Sequence, residues 1–316
     1  MPARILFVTS TRLGDAVLST GVLARLIEDH PGAEVTIVCG PLPAPLFRAV
    51  PGLKRLIPLV KQRLTQHWIK VFLEVAPHRW DVFLDLRNVG ILHLVRARKT
   101  YRYRKNGQGL HKVEENAALL GLPPQPPKLW IDEDARRAQI RLLGTRTGYL
   151  AIGPTAGTPH KEWAPERFAE LARRLTAPGA PFAGRDIVVF ASETERGRAG
   201  RLLAALPKDQ TLDLTGKTDP LSAAACLGHA ALFVGNDSGL MHIAAAAGTP
   251  TLGLFGTGNP AIYGPWGPHA AFVDHRLPDK ERIALETSPV LADLAKVMSL
   301  LTVDEAEAAA RQILRR

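Results

Sequence analysis

The chain of 316 residues, 46% hydrophobic and 22% charged, has the make-up of a folded protein and the length for two domains of roughly 150 residues each. Its two cysteines, Cys39 and Cys226, exclude a disulfide framework and a thiolate metal site and read as buried reduced thiols. A formal charge of +10 asks for an anionic partner, without choosing among nucleic acid, an anionic membrane face and a phosphorylated substrate.

The first apolar run, Ile5 to Val8, reads as a buried strand and is too short for a secretory signal. No later run reaches the roughly 18 apolar residues a spanning helix needs. The chain is therefore expected in the cytoplasm, at most touching a membrane surface. Residues 15–29 repeat apolar positions with a period near 3.6 and predict one helix. Residues 34–39 and 81–86 predict strands. Strand, helix, strand at this spacing means βαβ units and a parallel sheet. Residues 122–128 (LPPQPPK) hold four prolines and suit a semi-rigid link near a domain boundary. Trp130-Ile131 predicts a short strand, and Asp132 an N-cap for a helix to residue 143.

The pattern then restarts. Strands are expected at 149–152, 186–190, 231–234 and 251–255. Helices are expected at 165–175, 196–206, 221–227, 240–247 and 302–315. The fold class is α/β, with a first domain over residues 1–145 and a second over 146–316. The last helix has the option of packing back on the first domain. In open α/β sheets ligands bind beyond the carboxyl ends of the strands, and two such halves facing one another make an inter-domain cleft.

Three loops carry candidate chemistry. Ser10-Thr11-Arg12-Leu13-Gly14-Asp15 follows the first strand and opens a helix. Asp15 suits an N-cap, a role worth about 1 kcal/mol, and capping outweighs catalysis on this segment alone. Its place at a strand's carboxyl end also suits a general base. Gly153-Pro154-Thr155-Ala156-Gly157-Thr158-Pro159-His160-Lys161-Glu162-Trp163 offers hydroxyls, backbone N–H groups and a cation to phosphate oxygens. It lacks the Walker A ending, and a plain loop with a solvated lysine explains it equally well. Gly235-Asn236-Asp237-Ser238-Gly239-Leu240-Met241-His242 puts polar groups at the positive end of a small-residue helix, where a diphosphate fits. The alternative is a well-capped helix with a structural histidine.

Three further segments are discounted. Gly256 to Ala261 matches G-x-G-x-x-A formally, but Pro260 sits where the helix of a dinucleotide site is under way. Asp132-Glu133-Asp134 imitates a metal motif and is explained by helix-start electrostatics. The basic stretch 96–105, with interleaved aromatics, suits nucleic acid but reads more simply as a solvated or substrate-facing run.

Taken in order and spacing, Arg12-Leu13-Gly14-Asp15-Ala16-Val17-Leu18, Lys161-Glu162-Trp163-Ala164-Pro165-Glu166-Arg167-Phe168, Leu214-Thr215-Gly216-Lys217-Thr218, the 235–244 segment, Phe255-Gly256 and Tyr263-Gly264-Pro265-Trp266-Gly267 resemble glycosyltransferase family 9, the ADP-heptose:lipopolysaccharide heptosyltransferases. The resemblance implies a GT-B fold of two Rossmann-like domains, an acceptor held by the first and a nucleotide sugar by the second. It implies inverting transfer with no metal and no cofactor beyond the ADP-sugar donor. By position, Asp15 resembles the general base and Lys161 the cation that stabilises the leaving diphosphate. Asp237, Ser238, Gly239 and His242 resemble the donor motif, with Glu193 or Glu195 toward the nucleoside. Three positions depart from the family. Ala156 and Gly157 stand where relatives place threonines, leaving Thr155 and Thr158 as substitutes, and Ser238 replaces the commoner threonine. The implied partners are a nucleotide sugar and a phosphorylated glycolipid acceptor, with peripheral contact to the anionic inner membrane face and no nucleic acid. The competing reading is a catalytically silent nucleotide-sugar or nucleic-acid binding module on the same fold.

Overall fold

The computed structural model describes residues 2–62, 65–104, 109–275 and 291–315. The chain divides into two compact units, Met1–Asp132 and Glu133–Arg316. The first holds β1 (Arg4–Val8), α1 (Leu13–Leu18), α2 (Thr20–Asp29), β2 (Glu34–Cys39), β3 (Leu53–Pro58), α3 (Gln66–Val75), β4 (Trp80–Asp85), β5 (Ala97–Arg102) and α4 (Lys112–Ala118). Its five strands run in the order β3-β2-β1-β4-β5, every neighbouring pair parallel. Ile5, Leu6, Phe7 and Val8 of the central strand are fully buried, as a strand covered on both faces requires.

Three expectations for this unit change. The helix over 15–29 is two helices that break at Ser19. There Ser19 Oγ donates to Ala16 O at 2.8 Å and Thr20 Oγ1 to Val17 O at 2.8 Å, hydroxyls competing for helix carbonyls. The basic stretch contains the edge strand β5, paired with β4 from Trp80↔Ala97 to Asp85↔Arg102; Lys105 lies outside the described residues. Lys99 Nζ stands 5.1 Å from the Tyr101 ring centre and Lys112 Nζ of α4 4.9 Å from that of Tyr103, so both interleaved aromatics already face cations of this chain. Trp130 and Ile131 form no strand. The proline-rich segment instead crosses α2, where a Cβ on Gly21 would collide with the carbonyls of Gln125 and Pro126, and Lys128 N donates to Thr20 Oγ1 at 2.9 Å.

The second unit holds α5 (Glu133–Leu143), β6 (Tyr149–Gly153), α6 (Pro165–Thr176), β7 (Ile187–Val189), α7 (Arg196–Ala205), β8 (Thr211–Asp213), α8 (Pro220–Leu227), β9 (Ala230–Asn236), α9 (Gly239–Ala246), β10 (Thr251–Phe255), α10 (Pro260–Tyr263), β11 (Ala270–Asp274), α11 (Leu291–Leu300) and α12 (Val303–Ile313). The strand order is β11-β10-β9-β6-β7-β8, again all parallel. The break between units falls before α5 because α5 packs on α8. The closing helix, for which packing on the first half stood as an option, lies against α6, β10 and β11 of its own unit. Ala306, Ala310 and Ile313 of that helix share one core with Trp163, Phe168, Leu171 and Leu175.

In both sheets the strand order reverses beside the central strand, between β1 and β4 and between β6 and β9. The carboxyl ends there are the switch points at which open α/β sheets bind ligands.

Candidate functional site

At the first switch point the loop after β1 is fixed before any ligand arrives. A Cβ on Gly40 would stand 2.6 Å from Thr11 Cα, and Gly40 N donates to Ser10 O at 3.2 Å, so only glycine admits this approach. Ser10 Oγ accepts from Arg12 N at 3.1 Å and donates to Asp15 Oδ2 at 3.2 Å. Asp15 does not cap: the cap position of α1 belongs to Arg12, which makes no side-chain cap bond. Capping is thereby removed as an explanation for this carboxylate, which lies half-buried in the first turn.

Across the switch point stands Asp85, the last residue of β4 and fully buried. Its Oδ1 accepts from Arg87 N and Asn88 N at 2.9 Å each, and its Oδ2 from Val89 N at 3.2 Å. Burial pushes this carboxyl above the ordinary value against the pull of those N–H groups. The turn it closes holds Asn88 at φ 49°, the left-handed region that asparagine tolerates.

At the second switch point the loop after β6 meets the end of β9. Lys161, on a 3-10 turn over Pro159–Lys161, puts Nζ 2.5 Å from Asp237 Oδ2. Asn236, the last residue of β9 and fully buried, ties the same loop twice. Its Oδ1 accepts from Trp163 N at 3.0 Å, and its Nδ2 donates to Pro154 O at 2.8 Å. A second tie comes from α7, where Arg198 Nη1 donates to Glu162 Oε1 and, at 3.1 Å, to Ala156 O. Glu162 Oε1 also accepts from Ala156 N at 2.9 Å, and burial raises the Glu162 carboxyl. Ala156 thus holds a structural place, buried and with both backbone groups engaged. Thr155 is buried on the same loop and Thr158 exposed. Burial and the Lys161 charge lower the imidazole of the intervening His160.

Beyond Asp237, Ser238 occupies the cap position of α9 without capping it. Gly239 opens the helix and His242 is buried in it. A Cβ on Gly258, after β10, would stand 2.5 Å from Asp237 Oδ2. Three hydroxyls here, on Thr155, Ser238 and Thr257, are buried with no hydrogen-bond partner among the described residues. Buried polar groups are ordinarily paired, so this grouping stands out. One loop along, Glu195 is consumed by a capping box with Ser192, whose N–H and hydroxyl reach its Oε2 at 2.9 and 2.7 Å. Glu193 is exposed and paired with Arg196 through two 2.7 Å bonds. It lies against Gly216, at φ +70°, where a Cβ would collide with its carboxylate.

The structure thus brings Lys161 and Asp237 together, with Thr155, Thr158, Ser238, Gly239 and His242 on the same two loops and helix. Glu193 lies after the neighbouring strand β7, and Asp15 stands in the other unit. Asn236 and Glu162 stood in the loops singled out from the sequence without a role of their own, Gly258 stood in a discounted segment, and Arg198 lay outside all of them. The formal dinucleotide match after β10 is only a one-turn helix, with Pro260 first and Asn259 Oδ1 accepting from Ala261 N at 3.1 Å. Of the metal look-alike, Asp132 binds Arg48 at 2.5 Å and Asp134 binds Arg137 at 2.7 Å.

Chemically, a cation, the N-terminus of α9 and nearby hydroxyls at one switch point suit a diphosphate. A diphosphate entering there competes with the Asp237 carboxylate for Lys161.

The chain has relatives among known proteins. Residues 87–288 match the sequence model of Glycosyltransferase family 9 (heptosyltransferase). Lipopolysaccharide heptosyltransferase 3 of Escherichia coli (strain K12) is 23% identical over 292 residues, covering 80% of this chain and 82% of that protein. A family 9 glycosyl transferase from Veillonella parvula superposes with a TM-score of 0.80 at 22% identity, over 99% of this chain and 97% of the other. The E. coli ADP-heptose lps heptosyltransferase II superposes with a TM-score of 0.77 at 20% identity, over 99% and 98%. The likeness to the two solved structures is one of fold.

Proposed function

Because the chain belongs to glycosyltransferase family 9 and has the GT-B fold of two parallel-sheet α/β domains, we propose that it is an inverting heptosyltransferase that takes ADP-heptose as donor and a phosphorylated, lipid-borne lipopolysaccharide core as acceptor. The names of its relatives support that donor and acceptor. The observation that carries the reading is the Lys161–Asp237 pair at the β6/β9 switch point, with buried hydroxyls on the loops after β6, β9 and β10 that find no partner among the described residues. It concentrates a cation and hydrogen-bonding groups where a leaving diphosphate gains negative charge.

In this reading the first unit binds the acceptor and the second the nucleotide sugar. Asp15 removes the proton of the acceptor hydroxyl as that oxygen attacks the anomeric carbon. The bond from that carbon to the diphosphate breaks, ADP departs with the electron pair, and the configuration inverts. Lys161 and the N–H groups of α9 stabilise the departing anion more strongly than the bound donor, which is what lowers the barrier. Thr155, Thr158, Ser238, Gly239 and His242 line the diphosphate side and Glu193 the nucleoside. No cofactor and no metal take part. Among the described residues no helix is long and apolar enough to cross a membrane. The charge of +10 supports work in the cytoplasm with peripheral contact to an anionic membrane face.

The test is thermal unfolding with ADP, UDP, GDP and a short oligonucleotide at matched salt, followed by transfer from ADP-heptose. A ligand at a hundredfold excess over its dissociation constant stabilises by about 2.7 kcal/mol. A shift with ADP that disappears in Lys161→Ala is expected. A shift with UDP or GDP alone would change the donor, and a shift with the oligonucleotide alone would sink the transferase reading.

A further inference from the structure

We infer that the outer face of α3 and the turn after β4 form the surface by which this chain docks on an anionic lipid bilayer. The inner face of α3 buries Trp68, Val71 and Val75 in one small cluster with Leu59, Leu92 and Val95. Around that cluster, large apolar side chains point the other way. Ile69 and Leu73, one helical turn apart on α3, are 47% and 64% exposed. Val60, next to buried Leu59, is 61% exposed, and Leu94, between buried Leu92 and Val95, is 69% exposed. Single exposed leucines are ordinary; several standing off one cluster mark an interaction surface.

The charge around them selects the partner. Lys61, Lys70 and Arg96 are exposed beside these side chains. Glu74 is the only acid between residues 59 and 80, and Arg55 holds it at 2.8 Å. Residues 86–104 carry Arg87, Arg96, Arg98, Lys99, Arg102 and Arg104 and no acid. An apolar tip in a cationic girdle matches an anionic bilayer, which takes leucine and isoleucine at the acyl boundary and lysine and arginine at the lipid phosphates. A second copy fits badly, because two-fold pairing of this face sets cation against cation. Nucleic acid fits badly as well, since the α3 aromatics Trp68 and Phe72 turn into the cluster and offer no stacking platform.

The inference rests on the lipid-borne acceptor of the proposed function for its purpose, and on the surface alone for its physics. It is tested by sedimentation of the intact chain with phosphatidylglycerol–phosphatidylcholine vesicles and with phosphatidylcholine vesicles, no donor or acceptor present. Binding to the first only, weakened by added salt, is expected. The Ile69→Ser/Leu73→Ser double variant should partition about tenfold less well, and Lys70→Glu/Arg96→Glu should bind more weakly still to the charged vesicles. In both variants the thermal midpoint and its ADP shift should stay at the intact chain's values. Absence of binding by the intact chain, equal binding to neutral vesicles, or unchanged binding by the double variant would overturn the inference. So would a dimer in solution that the double variant dissolves. The ADP shift reports on the transferase reading separately, so the two can fail independently.

Discussion

The two units place a fully buried polar residue at the same point of the same topology, the last residue of the strand that flanks the switch point, and use it differently. In the first unit Asp85 turns its carboxylate on its own following turn and takes three N–H groups. In the second Asn236 reaches across to the loop after β6, accepting from Trp163 N and donating to Pro154 O. A carboxylate only accepts, whereas an amide also donates, so only asparagine can tie a loop through both a carbonyl and an N–H. The facing loops differ to match. The first presents Asp15 held by a hydroxyl, and the second presents Lys161 held by a carboxylate. One scaffold thus presents a carboxylate at one switch point and a cation at the other, the two groups that the proposed function uses as base and anion site.

The largest expected effect tests the first half of that contrast. Asp15→Ala should lower kcat by up to about 10⁴-fold with the ADP-induced thermal shift unchanged, and near-normal turnover would remove Asp15 from the chemistry. Lys161→Ala tests the second half. It should lower kcat by about 10²–10³-fold and also reduce the ADP shift, because it strips the anion site of its cation and leaves Asp237 without its partner. Loss of turnover with ADP binding intact would confine Lys161 to the transition state.

The buried pair is separated by stability measurements. Asn236→Leu leaves Trp163 N–H and Pro154 C=O without partners and should cost on the order of 3 kcal/mol in denaturant unfolding, together with a raised KM for the donor. A cost below about 1 kcal/mol would mean that Arg198 alone holds the loop. Asp85→Asn is the mildest change, since the amide oxygen keeps the two bonds to Arg87 N and Asn88 N, and it should shift stability by no more than about 2 kcal/mol. Its pH dependence carries the information. Burial raises the Asp85 carboxyl above 3.8, so the folded chain keeps a proton that the unfolded chain has released. That stabilisation is full below the unfolded value and is lost as pH rises through the folded one. The stability of the native chain relative to Asp85→Asn should therefore fall as pH rises above about 4. A difference that grew with pH would mean that the three N–H groups outweigh burial.

Much of this was legible in the chain. The strands β6 and β10 are buried at every residue, and β1 at every residue but the exposed Arg4, so their runs announced them. Asp15 and Lys161 drew notice because they follow β1 and β6 through glycine-bearing loops, and Asp237 because it comes directly after β9. The edge strands were not legible. β5 reads ARKTYR and β8 is only TLD, because a strand with one open edge and partly open faces needs no apolar run. The split of residues 15–29 at Ser19 was hidden too, since the apolar period continues across it while hydroxyls rewire the carbonyls.

By itself the sequence determined the succession of buried strands, the restart of the pattern, the loops that carry polar chemistry and the resemblance to a family. Those properties are written locally, in apolar period, turn residues and charge. Tertiary structure alone decided that Lys161 meets Asp237 and that Asn236 and Arg198 hold the loop between them. It also decided that Asp15 is no cap and that the apolar side chains around α3 face outward. These facts join residues far apart in the chain, and they follow from strand order: placing β9 beside β6 brings the ends of two distant segments within reach of one another, which no local pattern records.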